Sequence, residues 1–256
     1  MSQESGAVDL RVEDYVAWIT LCRPAKLNAL SVEMLTAFEA HVADVDRRQD
    51  VRVVVVAAEG ERAFSVGADV NAWSALEPLD MWRWWVRDGH RVMQRLASTR
   101  QPVIAAIKGL AFGGGLELAL AADIRIASSS AAFAMPEVTI GTLPGWGGAQ
   151  RLPALVGVAR AKQMIFSGER IDAATAERWG LVNELVSPEE LTERVTQLAQ
   201  RIAANAPIAV QLAKSAIDHD ATALEAFAGA LAASAEDGKE GMAAFREKRP
   251  PRFRGV

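Results

Sequence analysis

The sequence predicts an α/β fold that ends in helices. Two nearly unbroken apolar runs, at residues 51–57 and 102–107, read as strands buried on both faces, as in a parallel sheet. Segments with helical periodicity lie between such strands. After Gly145 the pattern becomes almost entirely helical, broken at Gly157, Gly168, Gly180 and Pro207.

The elements follow in order. Residues 8–12 and 16–21 are rich in β-formers and flank an acidic turn at Glu13 and Asp14, which predicts a hairpin. Arg23 and Pro24 end the second strand. Ser31 is placed to N-cap a helix with Glu33 in its first turn, and Leu35, Phe38 and Val42 share one face as far as about residue 48. The strand at 51–57 is followed by a loop through Gly60 and residues 64–69. Residues 78–97 predict a helix, 102–107 a second buried strand, and 109–115 a glycine-rich turn into a helix that ends near residue 122. Short strands are expected at 123–127 and 131–134. Pro188 after Ser187 suits the first position of a later helix, and residues 208–217 repeat that pattern after Pro207. A division between an α/β core of residues 1–198 and a helical region of residues 199–256 is expected. No fixed-period repeat stands out.

Half of the 256 residues are hydrophobic and 23% are charged, an ordinary globular composition. The net charge of −4 gives no general attraction to nucleic acid or to an anionic membrane. Cys22 is the single cysteine, so no disulfide within the chain is possible. The N-terminal residues carry no basic segment followed by an apolar run, and the apolar-rich stretch 103–122 is interrupted by Lys108, Glu117 and glycines. A cytoplasmic protein with no membrane partner is expected. The three histidines, His41, His90 and His219, are scattered, and no zinc-ligand spacing or Gly-x-Ser-x-Gly elbow is present. No metal and no nucleophile–histidine hydrolase are expected.

Two glutamates carry the chemistry. Glu117 follows Gly113-Gly114-Gly115, and Glu137 precedes a second glycine-containing loop at Gly141 and Gly145. Bare glycines allow a substrate to approach the main chain, and the first N–H groups of a helix attract an oxyanion. Gly67-Ala68-Asp69 is another small-residue loop that can offer the Ala68 N–H. The helix start is expected to keep Glu117 ionised, as a base. The apolar neighbours of Glu137 are expected to raise its pKa and hold a proton on it. Such a pair suits adding water to, or moving protons along, a carbon chain beside a carbonyl. The triple glycine matches neither a dinucleotide fingerprint nor a Walker loop.

Five ordered stretches, ITLCRPAKLNAL (19–30), AFSVGAD (63–69), IAAIKGLAFGGGLELA (104–119), PEVTIGTLPG (136–145) and GGAQRL (147–152), resemble the enoyl-CoA hydratase/isomerase (crotonase) family. Cys22 stands where asparagine is frequent in that family. The resemblance implies a spiral of β-β-α turns with a C-terminal helical trimerisation region, assembled as a homotrimer or a dimer of trimers. It implies an enoyl-CoA hydratase, a hydro-lyase of fatty-acid β-oxidation or related catabolism. Its substrate would be an acyl-CoA, with coenzyme A as part of that substrate and no separate cofactor.

On this resemblance the Ala68 and Gly114 amides form the oxyanion hole, Glu117 takes a proton from water, and Glu137 delivers one to the α-carbon. Ala25, Lys26 and Leu27 match a segment near coenzyme A. Ala68, Asp69, Val70 and Asn71 match the substrate loop, and Lys248 matches a lysine near the nucleotide end. The tryptophans Trp73, Trp82, Trp84 and Trp85 fall in the variable region that the family places beside the acyl tail, and Trp146 lies in the loop at 144–148, which suggests a bulky or aromatic acyl group; core packing and a partner interface are the simpler reading. A Δ3,Δ2-enoyl-CoA isomerase, needing one acid/base carboxylate, is the near alternative. A nucleic-acid-binding member using Arg83, Arg87, Arg91 and Arg95 is the alternative of another class. A solvated, ion-paired face is the simpler reading of that stripe.

Overall fold

The computed structural model describes residues 6–74, 76–218 and 222–256; His219 lies outside the described residues. Strands β1 (Ala7–Glu13) and β2 (Val16–Cys22) form the expected antiparallel hairpin. Its turn residues Asp14 and Tyr15 both take positive φ, +48° and +66°, the handedness that matches strand twist in a two-residue hairpin loop. Helix α1 (Val32–Arg47) starts where Ser31 accepts a hydrogen bond from the Met34 amide.

Three β-β-α turns then wind in succession. The first holds β3 (Val53–Ala58), β4 (Ala63–Ser65), and the helices α2 (Val70–Trp73), α3 (Pro78–Asp80) and α4 (Val86–Ala97). The second holds β5 (Val103–Ile107), β6 (Leu110–Phe112) and α5 (Gly114–Leu120). The third holds β7 (Ile124–Ser128), β8 (Ala132–Ala134), α6 (Gly148–Val156) and α7 (Val158–Ser167). In each turn the first strand joins one sheet and the second strand joins another. The large sheet runs β1-β2-β3-β5-β7-β10 and the small one β4-β6-β8-β9, where β9 is Ile171–Asp172 and β10 is Glu184–Val186. The pairs β3–β5, β5–β7, β4–β6 and β6–β8 are parallel. This is the expected crotonase spiral.

Packing explains the sequence pattern. Val53, Val54, Val55 and Val56 alternate between two cores, one on each face of the large sheet, so the whole run is apolar. Fully burying such a side chain contributes ~1.5–3 kcal/mol. Helix α8 (Ala173–Arg178) follows β9, and α9 (Leu191–Ala203) covers the outer face of the large sheet with Leu191, Val195, Ala199 and Ala203. The division expected at 198/199 falls within α9. Helices α10 (Pro207–Asp218), α11 (Thr222–Ser234) and α12 (Glu236–Glu247) complete the chain. Lys214, buried on α10, donates to Asp123 Oδ2 at 2.8 Å and to the Gln101 carbonyl at 3.2 Å, which ties this tail to the spiral. No helix among the described residues is long and apolar enough to cross a membrane.

Several expected elements are corrected. The loop at 64–69 and the turn at 109–115 contain β4 and β6, and the helical end contains β9 and β10. The predicted helix 78–97 is interrupted by a π-helical turn, Met81–Trp85. Pro188 lies in a turn ahead of α9, with Ser187 N and Oγ both bonded to Glu190 Oε2, so that helix starts three residues later.

Candidate active site

The site is built where three chain segments meet without side chains between them. Gly113, at φ +51°, turns β6 into α5. A Cβ on Gly115 would lie 2.1 Å from the Ser65 carbonyl oxygen, so α5 presses directly on β4. Gly67 takes φ +92°, and a Cβ there would lie 2.8 Å from the Gly114 nitrogen. A Cβ on Gly114 would in turn lie 3.4 Å from the Ala68 nitrogen. The Ala68 and Gly114 amides are therefore neighbours, and neither has a hydrogen-bond acceptor among the described residues. Both line one cavity of ≈ 140 Å³.

The loop carrying Ala68 is fixed from outside. Leu30 N donates to Gly67 O at 2.8 Å, Asp69 N to Leu30 O at 2.9 Å, and Val66 N to Leu27 O at 3.2 Å. Ser65 Oγ accepts from Gly67 N at 3.1 Å and donates to Asn28 O at 2.8 Å. The Arg23 guanidinium donates to Asp69 Oδ2 at 2.6 Å and holds that carboxyl below its usual pKa. Such over-determination keeps an amide pointing at a cavity rather than at its own strand.

Glu117 and Glu137 open onto the same cavity. Glu117 is 2% exposed, and its Oε1 accepts from the amides of Trp146 at 2.7 Å and Gly148 at 2.8 Å. Burial nevertheless pushes its pKa up to about 7, with the Gly148 amide opposing the shift and the Glu137 charge adding to it. The expectation that the helix start keeps Glu117 fully ionised is thus corrected: desolvation outweighs the dipole and both hydrogen bonds. Glu137 begins a 3₁₀ turn, Glu137–Ile140, just after Pro136. Its two carboxyl oxygens are buried and have no hydrogen-bond partner among the described residues. Burial raises its pKa, as expected. One carboxyl is held rigidly by the main chain and the other is free to bond whatever enters.

Sequence reasoning missed the support of Glu117. It comes from the Gly147–Gly148 start of α6, and a Cβ on Gly148 would lie 3.0 Å from Glu117 Cγ. The glycine pair was the visible signal. Arg151 donates to the Trp146 carbonyl at 3.2 Å and to Gln94 Oε1 at 2.9 Å, and its charge favours ionised Glu117.

The other candidates divide. Val70 lines the cavity with Ala68, Gly114, Glu117 and Glu137. Asp69 is taken up by Arg23 and by the Asn71 amide, which it caps at 3.0 Å; Asn71 is exposed and outside the cavity lining. Ala25, Lys26 and Leu27 form a turn beside the cavity rather than its wall, joined to it through Leu27 O. Lys248 is an exposed C-cap on α12 and does not line the cavity. Among the tryptophans, Trp73, Trp85 and Trp146 line it, Trp84 faces a separate recess beside α1, and Trp82 is 66% exposed.

Three of the four arginines of the stripe pair within the fold: Arg83 with Asp80 at 3.7 Å, Arg91 with Glu39 and Asp88, and Arg95 with Asp46 at 3.6 Å. Elsewhere, ligand atoms of Asp9, Cys22 and Glu59 lie within 4.8 Å of one another. Burial and the two carboxylates push the Cys22 thiol up to about 12, so it stays protonated at neutral pH.

A β-β-α spiral with two unpartnered amides and two buried carboxyls on one cavity defines a crotonase-fold protein with an acid/base site. A family model described as enoyl-CoA hydratase/isomerase matches residues 11–256. The short-chain-enoyl-CoA hydratase of Clostridium acetobutylicum is 41% identical, over 96% of this chain and 97% of that protein. The (E)-benzylidenesuccinyl-CoA hydratase of Thauera aromatica is 38% identical, over 97% and 99%. The crystal structure of an enoyl-CoA hydratase from Bacillus anthracis superposes with a TM-score of 0.92 at 38% identity, covering 99% of this chain and 100% of that one. The chain belongs to the enoyl-CoA hydratase/isomerase family.

Proposed function

We propose that this protein is an enoyl-CoA hydratase that adds water reversibly across the 2,3 double bond of a 2-enoyl-CoA thioester. The thioester oxygen accepts from the Ala68 and Gly114 amides. Glu117 removes a proton from water as its oxygen bonds to the β-carbon. The double-bond electrons move onto the thioester oxygen as an enolate, which the two amides stabilise. Glu137 then gives its proton to the α-carbon, and the thioester carbonyl re-forms. Removing one such amide donor typically costs ~3 kcal/mol of barrier.

The observation that carries this reading is the shared cavity of Ala68, Gly114, Glu117 and Glu137. It favours hydration over Δ3,Δ2 isomerisation, which needs one carboxylate. Coenzyme A is part of the substrate, held outside the cavity by the Ala25–Lys26–Leu27 turn, the Asp69–Asn71 segment and Lys248. The protein works in the cytoplasm, in β-oxidation or a related breakdown of acyl groups. A spiral core of residues 1–198 carries the chemistry. A helical region of residues 199–256 assembles a homotrimer or a dimer of trimers.

Crotonyl-CoA incubated with the protein should lose its enone absorbance. A pure isomerase leaves that signal unchanged, which would overturn the hydratase reading.

A further inference from the structure

We propose that Val86, seated against Gly145, together with Trp146, seated in Gly89, closes the acyl end of the cavity and limits the substrate to short acyl groups. This inference rests on the hydratase reading. With the thioester at the Ala68 and Gly114 amides and the double bond beneath the two glutamates, the acyl tail has the apolar remainder of the cavity, with Trp73, Met81, Trp85, Val86 and Trp146 in its wall and the exposed Ile140 and Leu143 at its rim.

That remainder is small. The whole cavity is ≈ 140 Å³, close to the ~150 Å³ of an engineered protein cavity that takes up benzene, six carbons in all. Counting the thioester and alkene carbons, room is left for an acyl group of about four to six carbons. The packing of Trp85 and Trp146, whose rings lie 5.6 Å apart at 55°, takes up part of the acyl end and opposes the bulky acyl group suggested by the tryptophans.

The closure is thin at one point. Val86 and Gly145 line the cavity and also a groove of ≈ 900 Å³ between α1 and α4. A Cβ on Gly145 would lie 3.3 and 3.5 Å from the two Val86 methyl carbons, so a single side chain against bare backbone separates the two spaces. The groove continues past Ala40 and Ala43, and its Glu39 and Arg91 pair with each other. On the other side Trp146 is buried and closely seated. A Cβ on Gly89 would lie 2.0 Å from its Nε1, and its own amide holds Glu117. Glycine inside a helix costs ~1 kcal/mol relative to alanine, and at position 89 it makes room for this indole.

The test compares kcat/KM for crotonyl-, 2-hexenoyl- and 2-decenoyl-CoA in the wild type and in Val86→Ala. The wild type should prefer crotonyl- to 2-decenoyl-CoA by more than tenfold. Val86→Ala should raise the decenoyl-to-crotonyl ratio about tenfold, the scale of a change of a methylene or two in an apolar pocket. Equal use of both by the wild type, or a ratio that moves less than threefold, overturns the proposal. Calorimetric binding of butyryl- and decanoyl-CoA, which cannot be hydrated, reads the partition without the reaction. A decanoyl-to-butyryl affinity ratio that rises in Val86→Ala supports it, and an unchanged ratio overturns it. If the wild type hydrates none of the three thioesters, the hydratase reading fails while the binding ratio still judges the partition.

Discussion

Two carboxyl groups share one cavity but stand in different surroundings, and this difference supports the proposed division of work between base and acid. Glu117 is fixed by two amides and titrates at about 7, so it is poised as a base near neutral pH. Glu137 is buried without partners and keeps its proton more readily than an ordinary glutamate. Glu117→Gln and Glu137→Gln should each lower kcat by ~10²–10⁴ while leaving affinity for a saturated acyl-CoA within about threefold. Binding that is lost in parallel with turnover would contradict the assignment. The base must be ionised, so kcat/KM should fall about tenfold per pH unit below pH 7. The same shift enters stability. The folded-state pKa of Glu117 lies above the unfolded value, so its contribution is full below ~pH 4.3 and is lost as pH rises through about 7. Glu117→Gln cannot ionise and should unfold at higher denaturant than the wild type at pH 8, by on the order of 3 kcal/mol at most. Equal midpoints at pH 8 would mean that Glu117 is not strained by burial.

The elements matter through how closely their backbones meet. Helix α5 starts against β4 because Gly115 has no side chain, and that contact brings the Gly114 amide beside the Ala68 amide. Gly115→Ala would force a Cβ into the Ser65 carbonyl and push the two elements apart. A loss of ~1–3 kcal/mol is expected in urea denaturation, with kcat falling further than folding alone explains because the amides separate. A stable, fully active variant would show that this contact does not set the amide geometry. These contacts also show what could be read from the sequence. The hairpin, α1 with its Ser31 cap, and the runs that became β3 and β5 were legible, since periodicity and capping are local properties. The triple glycine pointed to close backbone approach, and the amides and both glutamates were found beside it. Strands β4, β6, β9 and β10 have two or three residues each, too few for periodicity, and exist because neighbouring turns of the spiral supply their partners. The pKa of Glu117 was misjudged for the same reason: the helix dipole is local, whereas burial is a property of the assembled fold, which leaves this side chain 2% exposed.

On the scale of the whole molecule, the tail is firmly attached yet presents an apolar surface outward. Arg52 donates to the carbonyls of Ala203 at 2.9 Å and Phe253 at 3.0 Å, and the buried Asp237 accepts from the Arg254 and Gly255 amides at 2.7 Å each. The C-terminal residues are therefore folded back and held. Against this rigid frame Ile217 and Phe245 are each 82% exposed, with Phe227, Leu231 and Met242 also exposed along α11 and α12. Exposed apolar side chains on anchored helices are what the proposed association surface requires. A stable interface buries ~800 Å² per partner and centres on aromatic anchors, which Phe227 and Phe245 supply. The wild-type protein should sediment at three times 27.5 kDa, 82.5 kDa, or at twice that for a dimer of trimers. Phe227→Asp combined with Phe245→Asp places two charges where the partner would bury them, and a burial of that kind costs several kcal/mol. That variant should sediment as the 27.5 kDa chain, with its far-UV circular dichroism unchanged because neither side chain supports the monomer's core. A double variant that keeps the wild-type mass would place the association surface elsewhere, and a wild type already at 27.5 kDa would remove the trimer altogether.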